Sequence, residues 1–328
     1  MYKVLFVIII LIFTMIYLYR KREFFSSEFD IDKLNDLEYR VKWAMGDNYD
    51  KKYVLDDTSQ FFKIVNELEY SDDKYDKYLY EIVKDKINYV LFLRGDVRGN
   101  IKEFPVITKT RSISDNPKNI IVILNKNRHW KNVNDYMLGK IEDIPFEEKK
   151  SVAIWRGVST GNTTNIANRF DLVEKWHQVD PDIDVGFNRI VQNKDEYEKY
   201  VIDKKTPEEL LEYKYLISAE GNDVSSGLKW NLYSNSLVLM PEPNVVSWFM
   251  EDHLVPYVHY VPIKDDWSDL KTQVDWCENN QDKCLEIISN AKQYVQRFID
   301  EQESGFSDEI HDAIIDKYNE NITWNIGE

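Results

Sequence analysis

Apolar positions recur along the chain with three spacings, and each predicts a different kind of element. Val4–Tyr19 (VLFVIIILIFTMIYLY) is apolar without a charge. Tyr89–Leu93 (YVLFL), Asn119–Leu124 (NIIVIL), Val152–Trp155, Tyr215–Ser218, Ser236–Met240 and Val258–Ile263 are short apolar runs between polar or turn residues, as expected of buried strands. Asp184–Phe187 predicts a further short strand. Helical spacing marks Ser59–Leu68, Tyr75–Lys86, Asn168–Trp176, Leu228–Tyr233, Trp267–Asn279 and Asp282–Asp300. In the last of these, Cys284, Ile287, Ile288, Ala291, Tyr294, Val295 and Phe298 fall on one face and are core. Strands alternating with helices predict an α/β fold.

The first apolar run is flanked by Lys3 and by Arg20-Lys21-Arg22. It is near the short end of a membrane span, roughly 17 to 25 residues, and bulky residues follow it where a cleavable leader would carry small ones. Residues 1–22 therefore read as a single-pass membrane anchor. The basic cluster after the run would hold the remainder in the cytoplasm. Phe24–Lys86 reads as a charged, Tyr-rich helical lead-in, and the EDIPFEEKK charge run at Glu142–Lys150 as the seam between residues 23–150 and 151–328.

Composition narrows the chemistry. In 328 residues, 43% of them hydrophobic, 58 acidic side chains outweigh 42 basic ones to give a net charge of −16, which argues against nucleic acid as a partner. The 21 Tyr and 9 Trp offer faces on which sugar rings stack, although most of them fill cores. Cys277 and Cys284, seven apart in one expected helix, lie about two turns from each other and form no disulfide scaffold. No Cys/His spacing suits zinc and no Gly-rich Walker loop is present. Asp265-Asp266 is a weak candidate for a metal site.

Candidate site residues follow the strands. Tyr213–Met240 reads as strand, polar turn, helix and strand, with Gly221, Asn222, Ser225 and Ser226 in the turn, a serine as helix cap, and Lys229 one turn into the helix. A turn at a strand's carboxyl end, leading into a helix, presents backbone N–H groups to an anion. Arg156 and Gly157 begin a second such turn, with Arg169 in the helix beyond; guanidinium suits bidentate phosphate recognition. Asp96 follows Tyr89–Leu93 and, on local grounds, is a turn residue. Lys109 and Arg111 either face the cleft or are solvated.

Ile154-Trp155-Arg156-Gly157, the Tyr213–Met240 block, Trp248-Phe249-Met250 and Leu254–Tyr260, in that order, resemble family 90 glycosyltransferases, which include Rumi-like protein O-glucosyltransferases and bacterial lipopolysaccharide-modifying enzymes. The resemblance runs from Tyr89 to Phe298. It implies a GT-B-like fold of two Rossmann-like domains facing a cleft, residues 23–150 on the acceptor side and 151–328 binding a nucleotide sugar. It implies inverting transfer of a sugar, glucose or xylose, from a UDP-sugar to a hydroxyl of a glycan, lipopolysaccharide or protein. Asp96 carries over as catalytic base, and Arg156, Gly157, Arg169, Gly221, Asn222, Ser225, Ser226 and Lys229 as donor-site residues. Since cations and backbone amides can take the leaving charge, no metal or cofactor is required. The sequence departs from the family at Gly227, where many relatives carry Arg, which puts donor preference in doubt. Eukaryotic relatives work in the secretory lumen, so the side of the membrane stays open. The alternative function is a non-catalytic, membrane-tethered glycan-binding protein.

Overall fold

The computed structural model describes residues 31–97, 99–113, 118–124 and 126–327, and these form an α/β fold. Its centre is a sheet of five strands: β1 (Lys150–Val158), β2 (Ile183–Arg189), β3 (Tyr213–Ile217), β4 (Leu237–Met240) and β5 (Val261–Pro262). All pairings in this sheet are parallel, and the spatial order is β5-β4-β3-β1-β2. Parallel strands are covered on both faces, which is why β4 is buried at every residue. Side-chain alternation then sorts each strand between two cores. Ala153, Trp155, Tyr215, Ile217, Leu237 and Leu239 enter one, while Ile154, Leu216, Val238 and Met240 enter the other. The first core is closed by helices Arg169–Trp176 and Leu270–Glu278; Asn168 caps the former by accepting from the Asp171 N–H. The second joins the sheet to the N-terminal half.

That half is built from short strands in pairs. Phe62–Ile64 runs antiparallel to Tyr89–Leu91, and Val106–Thr108 parallel to Asn119–Ile121. Thr110–Ser112 pairs with Val245–Ser247, a strand from beyond β4, and Tyr53–Leu55 pairs with Ile322–Trp324 at the far end of the chain. The expected helix over Ser59–Leu68 is cut down to Val65–Leu68, because Phe62 stacks on Tyr89 at 5.6 Å and is held as strand. Helix Lys74–Val83 lies where expected, capped by Asp73. The helix Gln281–Ser304 serves both cores: Cys284, Ile287 and Ile288 lie in the first, and Ala291, Tyr294, Val295, Phe298 and Ile299 in the second.

Two expectations need correction. Cys277 and Cys284 do not share a helix: the chain breaks at Asn279-Asn280, and the two sit in consecutive helices, both buried and free, with the Cys284 thiol 3.6 Å from the Cys277 carbonyl. The single-pass membrane localisation is also overturned, since among the described residues no helix is long and apolar enough to cross a membrane. The anchor over residues 1–22, on which it rested, lies outside the described residues.

Candidate functional site

In the order β5-β4-β3-β1-β2, strands β1 and β3 are neighbours whose onward connections leave in opposite directions. The carboxyl ends of two such strands form a crevice, the usual ligand position of an open α/β sheet. The turn after β1 and the turn after β3 meet there. Gly161 has φ of +110°, and a Cβ on it would come within 3.0 Å of the Gly221 carbonyl oxygen, so only glycine fits. The Gly161 N–H donates to Asn222 Oδ1 at 2.9 Å, which locks one turn onto the other. Arg169 braces both from beneath, donating to the Val158 carbonyl at 3.0 Å, Thr160 Oγ1 at 2.7 Å and the Ala219 carbonyl at 3.1 Å. Gly157 allows the Trp155 ring to fold back over the strand, because a Cβ there would run into it.

Above the turns lies a cleft of about 340 Å³. Asp96, Arg156, Gly157, Arg169, Gly221, Asn222, Ser225 and Ser226 all line it, so residues scattered over 130 positions of sequence are brought to one place. Lys229 does not line it. Its side chain is buried below the turn, with its ammonium 3.7 Å from Glu251 and over the Phe249 ring at 4.8 Å, and burial lowers its pKa. Neither serine caps the following helix; Gly227 holds that position without a side-chain bond, leaving Ser225 and Ser226 at the cleft wall.

Asp96 faces the turns from the N-terminal half. Its Oδ1 lies 2.7 Å from Lys109 Nζ, and the same ammonium lies 2.6 Å from Asp223 Oδ2 in the turn after β3. Asn222 Nδ2 donates to Asp96 Oδ2 at 3.4 Å. Lys109 is thus neither solvated nor free for a ligand; it ties the two walls together. Burial pushes the Asp96 carboxyl up, but the hydrogen bond and charge of Lys109 outweigh it and hold the group below its ordinary value. Asp223 is buried more deeply, and desolvation keeps it above its ordinary value despite the same cation. Asp96 is therefore ionised at neutral pH and able to accept a proton.

The guanidinium of Arg156 is clasped by both Asp184 carboxylate oxygens, at 2.7 and 2.6 Å. Arg111 sits away from the cleft, donating to the backbone of Trp43 and Ala44. Among the described residues no cluster of three His, Cys, Asp or Glu side chains is placed to hold a metal ion.

Sequence reasoning missed Asp223, His129 and Asn231, all of which line the cleft. His129 had a partial signal: it lies in the first turn of the helix that follows the strand Asn119–Ile121, on the side where α/β folds place ligands. Asp223 had none beyond a turn composition it shares with its neighbours.

Residues 122–304 match the glycosyl transferase family 90 model. The chain is 36% identical over 205 residues to O-glucosyltransferase LpsA of Dichelobacter nodosus, covering 62% of this chain and 59% of that protein. It is 32% identical over 83 residues to Protein O-glucosyltransferase 1 of Rattus norvegicus, covering 25% and 21%. The chain thus spans only part of the curated relatives it matches. The crystal structure of Anabaena HepE in complex with UDP aligns over 82% of this chain and 77% of its own at 10% identity and a TM-score of 0.35, too low to carry an argument. With 183 consecutive residues matched, more than half of its length, the chain belongs to glycosyl transferase family 90.

Proposed function

We propose that the chain is an inverting glycosyltransferase that moves a sugar, glucose or xylose, from a UDP-sugar to a hydroxyl of a glycan, lipopolysaccharide or protein. The observation that carries this is the Asp96 carboxylate, ionised and hydrogen-bonded to Asn222, facing the two locked turns across one cleft. In the reaction Asp96 takes the proton of the acceptor O–H while that oxygen attacks the anomeric carbon. The bond from that carbon to the diphosphate breaks, and UDP leaves with the electron pair. Arg169, Ser225 and Ser226 line the same cleft and, with the turn amides beyond Gly221, are the groups that would meet the leaving charge in this reading. Arg156 contributes less directly, because Asp184 already neutralises it. We read the arrangement as GT-B-like, with the sheet half as donor side and the N-terminal half as acceptor side. The O-glucosyltransferase relatives favour glucose as the sugar.

Isothermal titration with UDP tests the reading. Binding is expected, weakened about 10- to 100-fold in Arg169→Met through loss of charge-assisted hydrogen bonds. A folded wild-type protein that gives no heat with UDP and releases none from UDP-glucose or UDP-xylose sinks it.

A further inference from the structure

Four buried polar atoms in or behind the wall of the cleft have no hydrogen-bond partner among the described residues. Both ring nitrogens of His129 and Oδ1 of Asn231 are among them, and both residues line the cleft. The fourth, Lys229 Nζ, lies behind this wall. His129 is in the first turn of helix Lys126–Met137 from the N-terminal half, and Asn231 is in helix Leu228–Tyr233 behind the turn after β3, so the group spans both walls. Buried polar atoms left unpaired cost stability, and a cluster of them in a binding cleft marks where a ligand supplies the missing partners.

We propose that His129 and Asn231 form the subsite that reads hydroxyl groups of the transferred sugar, a proposal that rests on the donor reading above. The chemistry of the atoms selects the ligand. Burial, reinforced by the cations Lys229, Lys109 and Arg128 and only weakly opposed by Asp96, lowers the His129 pKa to about 2, so the ring is neutral and offers one N–H donor and one bare acceptor nitrogen. Asn231 Oδ1 is a second acceptor. A phosphate has only acceptors and leaves both of these unmatched, whereas a sugar hydroxyl donates and accepts at once. A cationic ligand would meet the same three positive groups that keep the histidine neutral. His129 and Asn231 act here as specificity residues, binding the sugar while Asp96 handles the proton.

The experiment compares affinities for UDP, UDP-glucose and its four monodeoxy analogues in wild type, His129→Phe and His129→Gln. In wild type, UDP-glucose should bind at least about tenfold tighter than UDP, with one or more deoxy analogues losing most of that gain. In His129→Phe the gain should shrink while UDP affinity holds, and His129→Gln, which keeps a donor and an acceptor, should restore part of it. UDP-glucose binding no tighter than UDP, or every deoxy analogue binding like UDP-glucose in wild type, overturns the subsite and leaves the UDP reading intact. Equal losses for UDP and UDP-glucose in His129→Phe also overturn it, since that is the mark of a structural residue. Failure of wild type to bind UDP at all removes the donor reading and the subsite with it.

Discussion

Strand β4 and the strand Tyr89–Leu91 both deliver chain to the neighbourhood of the cleft, yet they are held in different ways. β4 pairs on both sides, with β3 and β5, and all four of its residues are buried. Tyr89–Leu91 has a three-residue ladder with Phe62–Ile64, and a lone bridge from Phe92 to Ile107 continues it. Around it the N-terminal half is secured by side chains from remote sequence. Arg40 pairs with Glu301, which also accepts from the Trp248 indole N–H at 2.7 Å, and the Tyr318 hydroxyl accepts from the Leu91 N–H at 2.9 Å. The sheet-side wall, proposed to hold the donor, is thus fixed by local sequence and ladder pairing. The wall that carries Asp96 is fixed by polar contacts between residues far apart in the chain.

If the walls divide the work in this way, they should fail differently. The largest effect is expected from Asp96→Asn, which is nearly isosteric and removes only proton acceptance. Transfer should fall about 10²- to 10⁴-fold with UDP affinity little altered. Full transfer to the true acceptor by this variant would remove Asp96 as the base. Next is Arg40→Met, which leaves Glu301 buried without its cation and should cost about 3–5 kcal/mol in denaturant unfolding. UDP binding per folded molecule should survive this change, and losing it would show that the donor wall depends on the N-terminal half. Gly161→Ala should do the reverse. Strain at its positive φ, with contact against Gly221, should cost about 1–3 kcal/mol and weaken UDP binding measured by titration.

The smallest effect concerns pH. Transfer requires ionised Asp96, and because its pKa is held below the ordinary value, the rate should persist as pH falls past the point where a normal carboxylate protonates. Asn222→Ala removes one of the bonds that favour the ionised form, so the acid limb of the rate profile should move to higher pH. A limb that stays in place or moves lower contradicts this role for Asn222.

The same division explains what could be read from sequence. The runs at Tyr215–Ser218 and Ser236–Met240 were legible because their residues carry their own instructions, apolar faces on both sides, whereas the Asn168 cap, whose side chain bonds three residues on, was read only as part of its helix. Asp96 reads locally as a turn residue at a strand end and became a candidate base through the family resemblance; its partnership with Lys109 and Asp223 was not legible, since nothing local joins positions 96, 109 and 223. Phe62–Ile64 was misread because its strand character comes from Tyr89. Lys229 was placed correctly on its helix and wrongly in the cleft: periodicity gives a helical position, while the buried Glu251 that draws the ammonium inward belongs to another element.

The helix Gln281–Ser304, about 36 Å long at the usual rise, changes cores between Ile288 and Ala291. Only Ser289 and Asn290 separate those two apolar stretches. Neither half of the molecule can melt without stripping part of this helix, so heat should dissolve both in one cooperative event. The same rod limits how the cleft breathes, because its second stretch holds the helix Leu228–Tyr233 through Tyr233–Gln296 and the N-terminal half through Glu301–Arg40, so any swing of one wall must slide along it.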